Sequence, residues 1–146
     1  MRDPRASRWR PVAQIPPRSL PPSLRSWLLD PGSLTRRLQQ RCPHAFRVYL
    51  LSVAWERLPP DEARTLHLPQ RHVALVREVH LCCAATPWVF ARTVIPRATL
   101  HTPLGDLRKL GDRPLGGLLF TDPGMRRTPL EIALLAPTDR LSTRAR

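Results

Sequence analysis

From Val73 to Cys83 the chain runs Val-Ala-Leu-Val-Arg-Glu-Val-His-Leu-Cys-Cys, and from Trp88 to Ile95 it runs Trp-Val-Phe-Ala-Arg-Thr-Val-Ile. Both segments are dense in β-branched and aromatic residues, and Ala84-Ala85-Thr86-Pro87 between them has turn composition, so a β-hairpin is predicted, ended by Pro96. Ala45 to Trp55 has the same character and predicts an earlier strand. Upstream, Ser23 can cap a short helix through Trp27, Leu28 and Leu29. Ser33 can cap a second helix to Arg41 with Leu34 and Leu38 on one face. The stretch Leu58 to Gln70 carries Pro59, Pro60 and Pro69 and predicts a loop with one helical turn at Asp61 to Leu66. Beyond the hairpin, Leu104, Leu107, Arg108 and Leu110 form a helical stripe closed by Gly111, and Pro114 opens another with Leu115, Leu118 and Leu119. Leu130, Ile132 and Leu134 alternate as a last strand. Helices and strands segregate along the chain, which predicts the α+β class with an antiparallel sheet.

Alternation along the hairpin sets which side chains share a face. With Ala85 and Thr86 as the turn tip, Val79 faces Arg92 and Arg77 faces Val94. One face then collects Arg77, Val79, Leu81, Cys83, Trp88, Phe90, Arg92 and Val94. Two guanidinium groups on an otherwise apolar face each need an anion, because an uncompensated buried charge costs several kcal/mol. That anion is either a ligand carboxylate, held in the bidentate geometry arginine favours, or an internal partner such as Glu131. The third option is solvent at the sheet margin.

Composition narrows the class. The chain has 146 residues, enough for one domain with a core, and 42% hydrophobic with 24% charged residues is ordinary for a globular protein. Residues 1–22 hold six prolines among arginines and predict a flexible leader, leaving 23–146 as the domain. No apolar run has the length of a spanning helix or a signal peptide, so a cytoplasmic location is expected. The formal charge of +13 invites a nucleic-acid partner. However, Lys109 is the single lysine, asparagine is absent, and the arginines are spread from Arg2 to Arg146. That is the signature of a GC-rich coding genome, and no nucleic-acid-binding motif accompanies it. Cys42, Cys82 and Cys83 do not form a disulfide framework, since Cys82 and Cys83 point to opposite faces of a strand. Buried thiols are expected, and His80 with Cys82, which could share a strand face, are too few for a metal site.

The segments Leu75-Val76-Arg77-Glu78-Val79-His80-Leu81-Cys82, Pro87-Trp88-Val89-Phe90-Ala91-Arg92-Thr93-Val94-Ile95-Pro96 and Leu110-Gly111-Asp112-Arg113-Pro114-Leu115-Gly116-Gly117-Leu118-Leu119-Phe120-Thr121 resemble chorismate pyruvate-lyases. So do Trp27-Leu28-Leu29 and Ser33-Leu34-Thr35-Arg36-Arg37-Leu38. The similarity runs in order from about Leu24 to Leu134. It implies a single antiparallel sheet with short helices over one face and a ligand enclosed between them. It also implies a reaction, the first step of ubiquinone biosynthesis, that splits chorismate into 4-hydroxybenzoate and pyruvate without metal or organic cofactor.

By position, Arg77 resembles the arginine that binds the ring carboxylate, and Arg92 resembles a second pocket arginine near the enolpyruvyl carboxylate. Leu115 matches a position whose backbone touches the ligand, and Leu34 stands where some members have Met. The partners implied are a small-molecule substrate and product for a monomer, with no nucleic acid. Family members continue into further strands, one bearing a Thr-Glu pair whose Glu reaches the ligand's hydroxyl end. The chain ends at Arg146 before that segment, so the expectation is a domain lacking its terminal strands and weak or absent activity. The competing expectation is a non-catalytic binder of aromatic acids.

Overall fold

The computed structural model describes residues 9–101 and 108–146. Their elements run β1 (Arg10–Pro11), α1 (Pro22–Leu28), α2 (Leu34–Arg41), β2 (Phe46–Arg57), α3 (Pro60–Thr65), β3 (Val73–Cys83), β4 (Thr86–Ile95), α4 (Leu115–Leu119), β5 (Glu131–Ile132) and α5 (Arg140–Arg144), with short 3-10 turns between some of them. The class is α+β with antiparallel pairing throughout. Leu104 and Leu107 of the anticipated helical stripe lie outside the described residues. The chain divides into two compact units, Thr35–Thr121 and the pair of segments Met1–Leu34 and Asp122–Arg146.

In the unit Thr35–Thr121, β2, β3 and β4 form a three-stranded sheet with β3 in the middle. A central strand is covered on both faces, which explains why β3 is apolar at almost every position. Apolar side chains pack on each face. On one, Leu58 and Ala63 close over Ala74 and Val76, with Leu66, Leu68 and Val94 at the margin. On the other, Leu75, Ile95 and Leu100 pack with Leu115 and Leu118. α3 packs on one side of the sheet and the Leu100 and α4 segments on the other. Val76 is fully buried; burying a side chain of that kind stabilises by roughly 1.5–3 kcal/mol. α3 forms at the helical turn expected within the proline-bounded stretch: Pro60 sits at its first turn, where the missing N–H costs nothing, and Asp61 and Glu62 favour the N-terminal end of the helix dipole.

The other unit holds the residues expected to be a flexible leader. Over their described part they are folded. Arg10 and Pro11 pair with Ile132 and Glu131, Val12 N–H donates to the Leu130 carbonyl at 2.8 Å, and Leu20 is buried. The last strand is only two residues long, and its partner is this N-terminal segment. In α5, Asp139 accepts a bond from Leu141 N–H at 2.8 Å as N-cap.

Candidate functional site

β3 buries two adjacent charges, Arg77 and Glu78, one toward each face of the sheet. Their surroundings differ, and the difference follows from the hairpin register. The turn residues are Ala84 and Ala85, with Cys83 opposite Thr86 and Ala84 at φ +52°. Moving the turn tip by one position alone would have left Arg77 and Arg92 co-facial. However, Leu81 pairs with Val89 while Cys82 pairs with Pro87, so Trp88 is an extra, bulged residue on β4. One extra residue moves every later side chain to the other face. Arg77 therefore stands opposite Thr93, and Arg92 opposite Glu78. The expectation that both arginines enter one pocket from one face is corrected: they lie on opposite faces.

Arg92 is fully engaged where it is. Its Nε and Nη2 donate to the two carboxylate oxygens of Glu62 at 2.8 and 3.1 Å, a bidentate pair. Its Nη1 donates to Glu78 Oε1 at 2.7 Å and to Glu56 Oε2 at 3.0 Å. Burial alone would lower its pKa, but the hydrogen bonds and charges of Glu62, Glu78 and Glu56 outweigh that and raise it. One guanidinium thus ties β2, α3, β3 and β4 together. Sequence spacing hid this cluster because Glu56 and Glu62 reach it through the β2–α3 connection.

Arg77 is placed differently. Its Nη2 donates to the carbonyls of Gly111 at 2.8 Å and Arg113 at 2.9 Å, and Nε donates to the Gly111 carbonyl at 3.3 Å. The carbonyls are presented by a turn in which Gly111 takes φ +55°, a conformation costly for other residues, and Arg113 N–H closes on the Leu110 carbonyl at 2.9 Å. Among the described residues no carboxylate lies within ion-pair distance of Arg77, and Nη1 has no hydrogen-bond partner. Burial lowers its pKa, and the more distant Asp112 opposes this in part. Arg77 is thus a guanidinium 4% exposed, held by two neutral acceptors, with one nitrogen left to donate.

Leu115 opens α4 directly after the carbonyl-bearing turn and packs against the Leu75–Ile95–Leu100 cluster. The same stretch lines an open cavity of about 600 Å³, bounded by Lys109, Leu110, Arg113, Pro114, Gly117, Leu118 and Thr121. Leu34 begins α2 and is exposed. Of the four anticipated residues, Arg77 and Leu115 share the face covered by α4, and Arg92 lies on the other face of the same sheet. Leu34 falls in the other unit. No group of three His, Cys, Asp or Glu residues that could hold a metal occurs among the described residues. No helix among them is long and apolar enough to cross a membrane.

Cys42 and Cys83, expected as thiols, are joined in a disulfide with their Cα atoms 5.9 Å apart. Cys82 alone is free, and buried. The sequence hid the pairing because Cys42 reaches Cys83 only once β2 pairs with β3, bringing Phe46 opposite Cys83.

Comparison with known proteins gives one consistent result. The profile of the chorismate lyase family matches residues 4–146. Among curated proteins, relatives from Marinobacter nauticus, Halorhodospira halophila and Pseudomonas aeruginosa all carry the name "Probable chorismate pyruvate-lyase". The first is 48% identical over 110 residues, 75% of this chain and 58% of that protein. The second is 42% identical over 132 residues, 90% of this chain and 69% of that protein. The third is 45% identical over 114 residues, 78% of this chain and 64% of that protein. The chain thus spans about three fifths to two thirds of the length of these relatives.

Proposed function

The chain belongs to the chorismate lyase family, and from that premise we propose that it removes pyruvate from chorismate to give 4-hydroxybenzoate, with Arg77 as receptor of the ring carboxylate. The observation that carries this reading is the contrast between the two sheet arginines. Arg92 is met by three glutamates, whereas Arg77 is buried against two carbonyls with no carboxylate partner among the described residues. The carbonyls orient the fork; the remaining donor edge supplies the charge-assisted bond.

In the reaction the ether bond between ring and enolpyruvyl group breaks, and the ring carbon bearing the hydroxyl loses its hydrogen to the departing methylene. The ring becomes aromatic, which drives the step. Such an intramolecular transfer needs little acid or base assistance. The protein acts by holding one conformer and neutralising a carboxylate. The Leu115 backbone is a further substrate contact in this proposal, as a position matched to the family. Arg92 supports the site from the opposite face by fixing the register that aims Arg77. The enzyme works as a cytoplasmic monomer, with no nucleic-acid partner, no metal and no organic cofactor, in the first step of ubiquinone biosynthesis.

The test is pyruvate release from chorismate by the purified chain, followed by coupled reduction to lactate, together with chromatography of 4-hydroxybenzoate. Equimolar formation of both products, lost in Arg77→Ala, is expected. Tight binding of 4-hydroxybenzoate without pyruvate release would establish a non-catalytic binder instead.

A further inference from the structure

We infer that Cys42 and Cys83 form a reversible redox site, opened by small-molecule thiols at Cys83 Sγ and closed by small-molecule disulfides, which clamps the segment after α2 to the tip of the β3–β4 hairpin. The inference is independent of the lyase reading. It draws on three features. The two sulfurs are unequally accessible: Cys42 is 4% exposed and continues α2 through its N–H bond to the Leu38 carbonyl, while Cys83 is half-buried at the hairpin tip. An incoming thiolate therefore reaches Cys83 first. The partners are also held together without the bond. Phe46 pairs with Cys83, and Ala84 N–H donates to the Ala45 carbonyl at 2.8 Å. Opening the bond leaves the thiols apposed, ready to close again. Finally, the neighbouring thiol cannot exchange readily. Cys82 points to the other face of the strand and is buried, which raises its pKa and keeps it protonated.

The chemistry balances. In opening, a thiolate of a dithiol attacks Cys83 Sγ, the Sγ–Sγ bond breaks, and Cys42 leaves as a thiolate. The second thiol of the reagent then attacks its own mixed disulfide and releases Cys83. Two electrons and two protons pass to the protein, and the reagent becomes a cyclic disulfide. In closing, the Cys83 thiolate attacks oxidised glutathione, releasing one glutathione. Cys42 then displaces the second from Cys83. In a reducing compartment a pair of this kind cycles, and does not serve as a permanent brace.

The bond closes a loop of 41 residues. Loop-closure entropy for that length corresponds to a change on the order of several hundredfold in the folding equilibrium constant. The 146-residue chain is equilibrated with oxidised glutathione or with dithiothreitol. Thiols are counted in denaturant, alkylated sites are mapped by mass spectrometry, and urea melts are recorded for both samples. One thiol, on Cys82, is expected after oxidation and three after reduction, with the oxidised form melting at higher urea. Cys82→Ser keeps the shift, and Cys42→Ser melts at the same urea in both conditions. Three thiols after oxidation, identical melts, or a shift that survives Cys42→Ser overturns the inference. Should Cys42→Ser not fold, the thiol count and melts of the unsubstituted chain decide.

Discussion

Replacing Arg92 by alanine removes a positive charge shared by Glu56, Glu62 and Glu78. Glu78 is as buried as Arg92 itself, and Glu62 and Glu56 are 16% and 23% exposed, so water screens the remaining carboxylates poorly. Ser52 Oγ lies 3.5 Å from Glu78 Oε2. Removing one member of a buried ion cluster costs about 3–5 kcal/mol, because three carboxylates lose a shared cation in a low dielectric. With an m-value of about 1.5–2 kcal/mol/M, the urea midpoint should fall by about 1.5–3 M. Arg92→Lys should recover part of this. An ammonium keeps the charge but cannot serve both oxygens of Glu62 and two further glutamates at once. The assay is equilibrium urea unfolding followed by tryptophan fluorescence, with 4-hydroxybenzoate binding measured on the folded fraction. A midpoint within about 0.3 M of the parent, combined with loss of ligand affinity, would refute the structural role and return Arg92 to the binding site.

Gly111→Ala should destabilise by about 1–2 kcal/mol, since φ +55° disfavours a Cβ although no atom lies within 4 Å of it. It should also weaken 4-hydroxybenzoate binding, because the displaced carbonyl is the one that holds Arg77 twice; calorimetry and a urea melt on one preparation read both. Cys82 should resist iodoacetamide in the folded state. Its raised thiol pKa should make stability fall as pH rises above the unfolded value of 9.0, because the unfolded thiol ionises first. Cys82→Ser removes that alkaline slope, as pH-dependent melts would show.

The hairpin was legible because β3 and β4 are apolar, β-branched runs separated by a short turn. Arg77 stood out because a charge within such a run must be compensated. The face of Arg92 was not legible. It depends on a single bulged residue, Trp88, and a bulge leaves no mark in local composition. The opposition of Glu78 to Arg92, evident once the bulge is known, was the available hint. The partners of Arg77 are main-chain carbonyls, for which sequence carries no signal beyond the glycine that permits the turn. Asp139 offered an N-cap for α5, but the five-residue helix it starts carries too little apolar periodicity to read. The disulfide required knowledge of which strand edges meet, a tertiary property.

The most direct measurement of the central claim is the affinity for 4-hydroxybenzoate, by titration calorimetry, of the parent chain, Arg77→Ala and Arg77→Lys, each checked for folding by circular dichroism. If Arg77 receives the carboxylate, alanine should weaken binding by roughly a hundredfold or more, a few kcal/mol. Lysine should restore only part, lacking the planar fork that the Gly111 and Arg113 carbonyls orient. Unchanged affinity in folded Arg77→Ala would contradict the account.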